Sequence, residues 1–146
     1  IWVSVCKLNI VKKLILLLVL VPIVSFSQEK EIDFDSVERP PIYPGCEPYT
    51  QQLRSCTQRK IQTHINKNFR YPEFAQKTGI QGRVFVQFII DKDGSIVGIR
   101  TRGPHPILEI EAKRIISILP KFIPGYVDGK AVRVPFSMPI TFKLQK

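Results

Sequence analysis

FRYPEFAQKTGIQGRVFVQFII, residues 69–90, decides the fold. The residue before a proline avoids the α region, so Tyr71 ends any helix arriving from the N-terminal side. Pro72 then opens a second, short helix at its first position, where a missing N–H costs nothing. Gly79 suits the left-handed cap that closes such a helix, and Gly82 lets the chain swing into a strand. Val84, Val86, Phe88 and Ile90 alternate along one face of that strand, while Phe85 and Ile89 add apolar surface to the other. A strand apolar on both sides reads as central and covered.

Outward from this stretch, Leu53, Thr57, Ile61 and Ile65 recur every four residues, which predicts a helix over residues 51–68 with Cys56 beside its apolar stripe. After the strand, Asp91-Lys92-Asp93-Gly94 is a hairpin turn leading to a lighter strand at residues 95–102. A calcium loop needs acidic ligands that this turn lacks. Gly103-Pro104-His105-Pro106 leads into another helix, with Leu108, Ala112, Ile115, Ile116 and Leu119 as its stripe and Glu109, Lys113 and Arg114 away from it. Pro120 ends it, and Pro124-Gly125 and Asp128-Gly129 read as turns.

The last stretch, AVRVPFSMPITFKLQK, alternates throughout: Val132, Val134, Phe136, Met138, Ile140, Phe142 and Leu144 on one side, Arg133, Ser137, Thr141 and Lys143 on the other. Pro135 and Pro139 are four residues apart, so their missing N–H groups fall on the same edge of the strand. That edge cannot carry a full ladder, which makes Val132–Leu144 a sheet edge, its other side free to pair with residues 84–90. The resulting expectation is an α+β fold: a small antiparallel sheet of about three strands with two main helices on one face.

The 146 residues suit one domain of ordinary size. Net charge is +10 but unevenly spread: residues 29–38 (EKEIDFDSVE) carry five acids and one lysine, whereas residues 39–146 hold 18 Lys/Arg against seven acids. Upstream, KKLILLLVLVPIVSFSQ has two lysines, then apolar residues from Leu14 to Phe26, then small polar residues. As a helix, these 13 residues rise only about 20 Å against roughly 30 Å of bilayer hydrocarbon. Residues 1–27 therefore read as a signal peptide cleaved near Ser27, the alternative being a short retained anchor. Loss of the signal removes Cys6 and leaves Cys46 and Cys56, for which a disulfide is the default in an oxidising compartment. A free redox pair or half a metal site are the alternatives; no CxxC spacing supports either.

Enzymatic patterns are thin, and no catalytic residue, cofactor site or metal site is assigned. His64 reads as a helix-face residue without an acid to orient it, and His105 lies in a loop between two prolines. Phe85 with Arg100 and Arg102 imitates a nucleic-acid stacking platform. In an exported chain the better reading is Phe85 as core under a helix and the arginines as a solvated face, with no nucleic-acid partner.

Tyr71-Pro72 with Ala75, then Gly79-Ile80-Gln81-Gly82, the apolar strand closing on Asp91–Gly94, Pro124-Gly125 and Pro139-Ile140-Thr141-Phe142 resemble the C-terminal domain of TonB, over residues 46–144. The resemblance implies a periplasmic domain that binds no cofactor and performs no covalent chemistry. It would take the short TonB box of an outer-membrane transporter as an added strand, with force supplied by the ExbB–ExbD proton-driven motor. It implies that the strand Val132–Leu144 is the box-binding one and that Phe69-Arg70-Tyr71-Pro72 lies near the docked box. Arg70, Tyr71, Pro72, Ser137, Thr141 and Lys143 are the partner-binding candidates. Strand addition draws affinity from main-chain hydrogen bonds. Family members that transmit force have a membrane anchor and a long proline-rich spacer; here residues 28–45 form an acidic, proline-containing linker, and Ser27 to Cys46 spans about 70 Å at most. The expected organisation is thus 1–27 signal or short anchor, 28–45 linker and 46–146 TonB-like domain. The rival function is a structural envelope module that binds peptidoglycan or forms a homodimer through its exposed edge.

Overall fold

The helical period at residues 53–65 produces α1, Leu53–Asn68, which buries Leu53, Thr57, Ile61 and Ile65 as spaced. The computed structural model describes Phe34, residues 36–48 and residues 51–145. The expected signal or anchor at residues 1–27, with Cys6, lies outside the described residues. At the end of α1, Phe69 is extended, with ψ 127°, as the chain approaches Tyr71-Pro72. The short helix α2 is Glu73–Thr78, with Pro72 as its extended N-cap rather than its first helical residue. Gly79 closes it at φ 72°, its N–H donating back to Ala75 and Gln76.

Strand β1, Gly82–Ile90, is the centre of a three-stranded sheet ordered β2–β1–β5, where β2 is Ile96–Arg102 and β5 is Val134–Phe142. Both neighbours are antiparallel, and β1 and β5 pair without a break from Gly82 opposite Phe142 to Ile90 opposite Val134. The β1–β2 turn is Asp91–Gly94, with the Gly94 N–H donating to Asp91 O at 2.8 Å. In it the Asp93 carboxylate accepts from the Ser95 hydroxyl (2.6 Å) and amide (2.9 Å), which hold it below the ordinary carboxylate value. Helix α3, Pro106–Ser117, buries Leu108, Ala112, Ile115 and Ile116. His105 is its N-cap rather than a plain loop residue: its Nδ1 accepts from the Ile107 N–H at 3.2 Å. Ile61 and Ile65 of α1 and the α3 stripe join Val84, Val86, Phe88, Ile90, Phe136, Ile140 and Phe142 in one core.

Four expectations need correction. First, the final alternating stretch is two strands: β4, Lys130–Val132, pairs with β3, Gly125–Val127, and the chain breaks at Arg133 before β5 begins. Second, Pro124-Gly125 is no turn; Gly125 opens β3, and only Asp128-Gly129 turns, at φ 50° and 71°. Third, no described helix or strand covers the second face of β1. Phe85 is 54% exposed, so it is not core under a helix; both main helices occupy the other face.

Fourth, much of the stretch expected as a linker is bound to the domain. Arg39 and Tyr126 exchange backbone hydrogen bonds of 3.2 and 2.9 Å, and Ile42 and Ile123 exchange bonds of 2.9 and 3.0 Å. Val37 is 2% exposed. Arg54 donates to the carbonyls of Phe34 and Val37 (3.2 and 3.3 Å) and lies over the Phe34 ring. The prolines suggested a spacer, yet they match an extended segment whose amides and carbonyls find partners across the domain. Cys46 and Cys56 are bonded and fasten this segment to the first turn of α1. The bridge joins residues ten apart. Replacing both cysteines with serine is expected to lower the unfolding free energy by about 2–3 kcal/mol, measured by urea denaturation.

Candidate strand-docking site

β5 has β1 on one side and, among the described residues, no strand on the other. In an antiparallel ladder, alternate residues direct N–H and C=O to the partner. Pro135 and Pro139 lie opposite Ile89 and Phe85 and have no N–H to give. The residues bonded to β1 are therefore the even ones, and the odd ones address the open edge. Along that edge only Ser137 and Thr141 have an amide to offer, with the carbonyls of residues 135, 137, 139 and 141 as acceptors. The side chains of Ser137 and Thr141 are exposed on the open face of the sheet.

Two grooves flank this edge. One, of about 350 Å³, lies between α1 and the first half of β5 and is lined by Gln58, Arg59, Gln62, Phe136, Ser137 and Met138. The other, of about 450 Å³, is at the far end and is lined by Phe69, Tyr71, Gln76, Lys143, Leu144 and Gln145. Tyr71 is fixed there by its hydroxyl, which donates to Ile80 O at 2.8 Å, and by ring contacts with Phe69 and Phe142. Burial pushes its phenol above the ordinary value.

The turn between α1 and α2 is held by a buried carboxylate. Glu111, only 9% exposed, accepts from Arg70 N–H at 3.0 Å and from Arg114 at 2.7 and 2.8 Å. Arg114 in turn donates to the Asn68 carbonyl at the end of α1 (2.7 Å), and the hydrogen bonds it donates to Glu111 raise its already high pKa. Glu111 thus fixes the backbone of the Phe69-Arg70-Tyr71 segment from below. Glu111→Ala leaves the Arg70 amide and the Arg114 guanidinium short of an acceptor, and is expected to cost about 2–3 kcal/mol in denaturant unfolding. Glu111→Gln, which can still accept from Arg70, should cost less.

Of the six candidates, Tyr71 and Lys143 meet in the far groove and Ser137 lines the near one. Thr141 lies between them on the edge. Arg70 and Pro72 line neither groove: Arg70 contributes its backbone N–H to Glu111, and Pro72 caps α2. Sequence reasoning missed the helix wall of Gln58, Arg59 and Gln62, whose signal was three polar residues next to the Thr57–Ile61 stripe. It also missed Glu111, an acid set among Leu108, Ala112 and Ile115. Among the described residues, no cluster of three or more His, Cys, Asp or Glu could hold a metal ion.

A family model described as Gram-negative bacterial TonB protein C-terminal matches residues 67–144, more than half of the chain. The chain belongs to the TonB C-terminal family. The match runs from the end of α1 through β5 and takes in both edge amides, Tyr71 and Lys143. It leaves out the disulfide, the segment at residues 34–46 and most of α1. Protein TonB of Helicobacter pylori strains J99 and 26695 is 51% identical to this chain over 41 residues, 28% of its length. Those residues are 15% and 14% of the two curated relatives, so the chain matches only a small part of each. The NMR solution structure of the H. pylori TonB C-terminal domain is 30% identical, with a TM-score of 0.50, covering 70% of this chain and 88% of that one. The TonB C-terminal fold, a mixed helical and antiparallel-sheet domain, is thus shared in structure as well as sequence.

Proposed function

We propose that this chain is a periplasmic, TonB-like protein-binding domain that engages outer-membrane transporters by accepting their TonB box as a strand on β5, in support of energised transport. One observation carries the reading: a β5 edge that no described strand pairs, with two amide positions, Ser137 and Thr141, directed outward between two side-chain grooves. Strand addition explains why the edge is left open over nine residues, a hazard that folds otherwise cover. The excess of Lys/Arg over residues 39–146 favours an acidic partner, chiefly through its on-rate. The site performs binding and no covalent chemistry. Coupling to an ExbB–ExbD motor rests on retention of an N-terminal anchor, and a cleaved leader makes the domain a soluble docking partner.

The test is photo-cross-linking in the envelope of a Gram-negative bacterium, using the full chain with a photoreactive amino acid at Ser137 or at Lys143. Cross-links from both positions to the N-terminal segment of an outer-membrane transporter are expected, and both should vanish in a Thr141→Pro background. Cross-links only to cell-wall material or to a second copy, unaffected by Thr141→Pro, would replace this reading with the envelope-module one.

A further inference from the structure

The strand register sorts the open face of the sheet into rows that run from the β5 edge inward. Ser137, Gln87 and Arg100 stand opposite one another across the three strands, and Pro139, Phe85 and Arg102 form the next row. Thr141 and Arg83 form a third row, which β2 does not reach because it ends at Arg102. Arg83, Arg100 and Arg102 are all exposed, and none is in an ion pair with a described residue. No acid occurs anywhere in the three strands.

The rows place their arginines at different distances from a strand added to β5. Neighbouring strands lie about 4.8 Å apart, so in the Thr141 row the added residue would stand about 10 Å from the Arg83 backbone. Only the short threonine side chain lies between them, and an arginine and a carboxylate extended from those two positions meet above it. In the other two rows the arginine belongs to β2, about 15 Å from the added strand, with Gln87 or the Phe85 ring in between. The Thr141 amide addresses the edge, so main-chain bonds hold the added residue opposite it, and that residue's side chain shares the open face with Thr141. In the middle row, Pro139 and the exposed Phe85 ring present apolar surface instead.

We infer that Arg83 reads one position of the docked strand: the residue opposite Thr141 is acidic, and the residue two away, opposite Pro139, is apolar and packs on the Pro139 and Phe85 rings. The inference rests on β5 being the docking edge, as proposed above, and adds the chemistry of the segment that the edge accepts. A guanidinium keeps its charge at every physiological pH, and its planar fork matches a carboxylate. A lysine in the same place would face Arg83 with no acid in the three strands to offset the repulsion. The row therefore selects by attraction and by rejection together. Because only this row brings a cation within reach, the acid is required at one position and not along the whole segment.

The test measures binding of three synthetic ten-residue peptides to the full chain by fluorescence anisotropy. Each alternates serine and valine, with one central valine replaced by aspartate, asparagine or lysine. At low salt the aspartate peptide is expected to bind about 3- to 10-fold more tightly than the lysine peptide, with asparagine between them. The gap should narrow as salt rises, because the pair is exposed. Arg83→Glu should reverse the order, whereas Arg102→Glu, one strand further from the edge, should preserve it. Thr141→Pro should weaken all three. Equal binding of the aspartate and lysine peptides overturns the inference and leaves docking on β5 standing, as does a preference that survives Arg83→Glu. If none of the peptides binds, or if binding is untouched by Thr141→Pro, docking on β5 fails and the reading of Arg83 fails with it.

Discussion

Replacing both Ser137 and Thr141 with proline should reduce capture of a docked strand by about 30-fold or more while leaving the fold in place. Each substitution deletes one of the two amides facing the open edge. An incoming carbonyl left without its donor costs about 1–3 kcal/mol. Over the two amides the loss comes to about 2–6 kcal/mol, or roughly 30- to 20,000-fold in affinity. The fold should tolerate the change because residues 137 and 141 share the phase of Pro135 and Pro139, which β5 already accommodates. The even residues that bond β1 keep their donors, and Phe136 and Ile140, both within β5, already have the extended backbone a following proline requires. The measurement pairs retention of transporters from detergent-solubilised outer membranes with a urea melt. A shift in unfolding free energy within about 1 kcal/mol alongside lost retention is the expected pair. Full retention would show that β5 is not the docking strand.

Gly94→Ala should be the more damaging change to stability. Gly94 sits at φ +83°, and a Cβ built there would stand 1.7 Å from the Phe122 carbonyl oxygen. The close approach is specific, since the Phe122 N–H donates to Gly94 O at 2.9 Å. Phe122 is itself 4% exposed and packs its ring against Tyr43 of the N-terminal segment. Alanine therefore meets both an unfavourable left-handed backbone and a clash with rigid backbone. The β1–β2 turn must separate from the segment after α3, at an expected cost of about 3–5 kcal/mol in denaturant unfolding. Gly79→Ala, left-handed as well but with open space around its Cβ position, should cost only about 1–2 kcal/mol. The contrast between them separates crowding from conformation.

Wherever a single period governed, the fold was legible in the residues. The four-residue recurrence of Leu53, Thr57, Ile61 and Ile65, the stripe of α3 and the alternation of Val134, Phe136, Ile140 and Phe142 all appear as buried faces. The prolines of β5 marked it as an edge through their missing donors, and the sheet order agrees. Local pattern failed where an apolar residue could serve either of two environments. Phe85 has the composition of a covered strand face, yet no described element covers it, because both main helices pack on the side of Val84, Val86 and Phe88. The short β3–β4 hairpin has three residues on each side, too few for alternation to register.

The sequence by itself determined the class of fold, the buried faces of the helices and strands, and that the proline-bearing strand lies at a sheet edge. Each of these follows from spacing along one element, where geometry is fixed by the backbone alone. Only the tertiary structure decided what surrounds that edge: the Gln58–Gln62 wall from α1, the Tyr71–Lys143 groove, the Glu111 clamp on Arg70, and the docking of Phe34 against Phe136. These partners are separated by up to a hundred residues. Their meeting depends on how α1, α3 and the N-terminal segment pack over the sheet, and no periodicity within a single element encodes it.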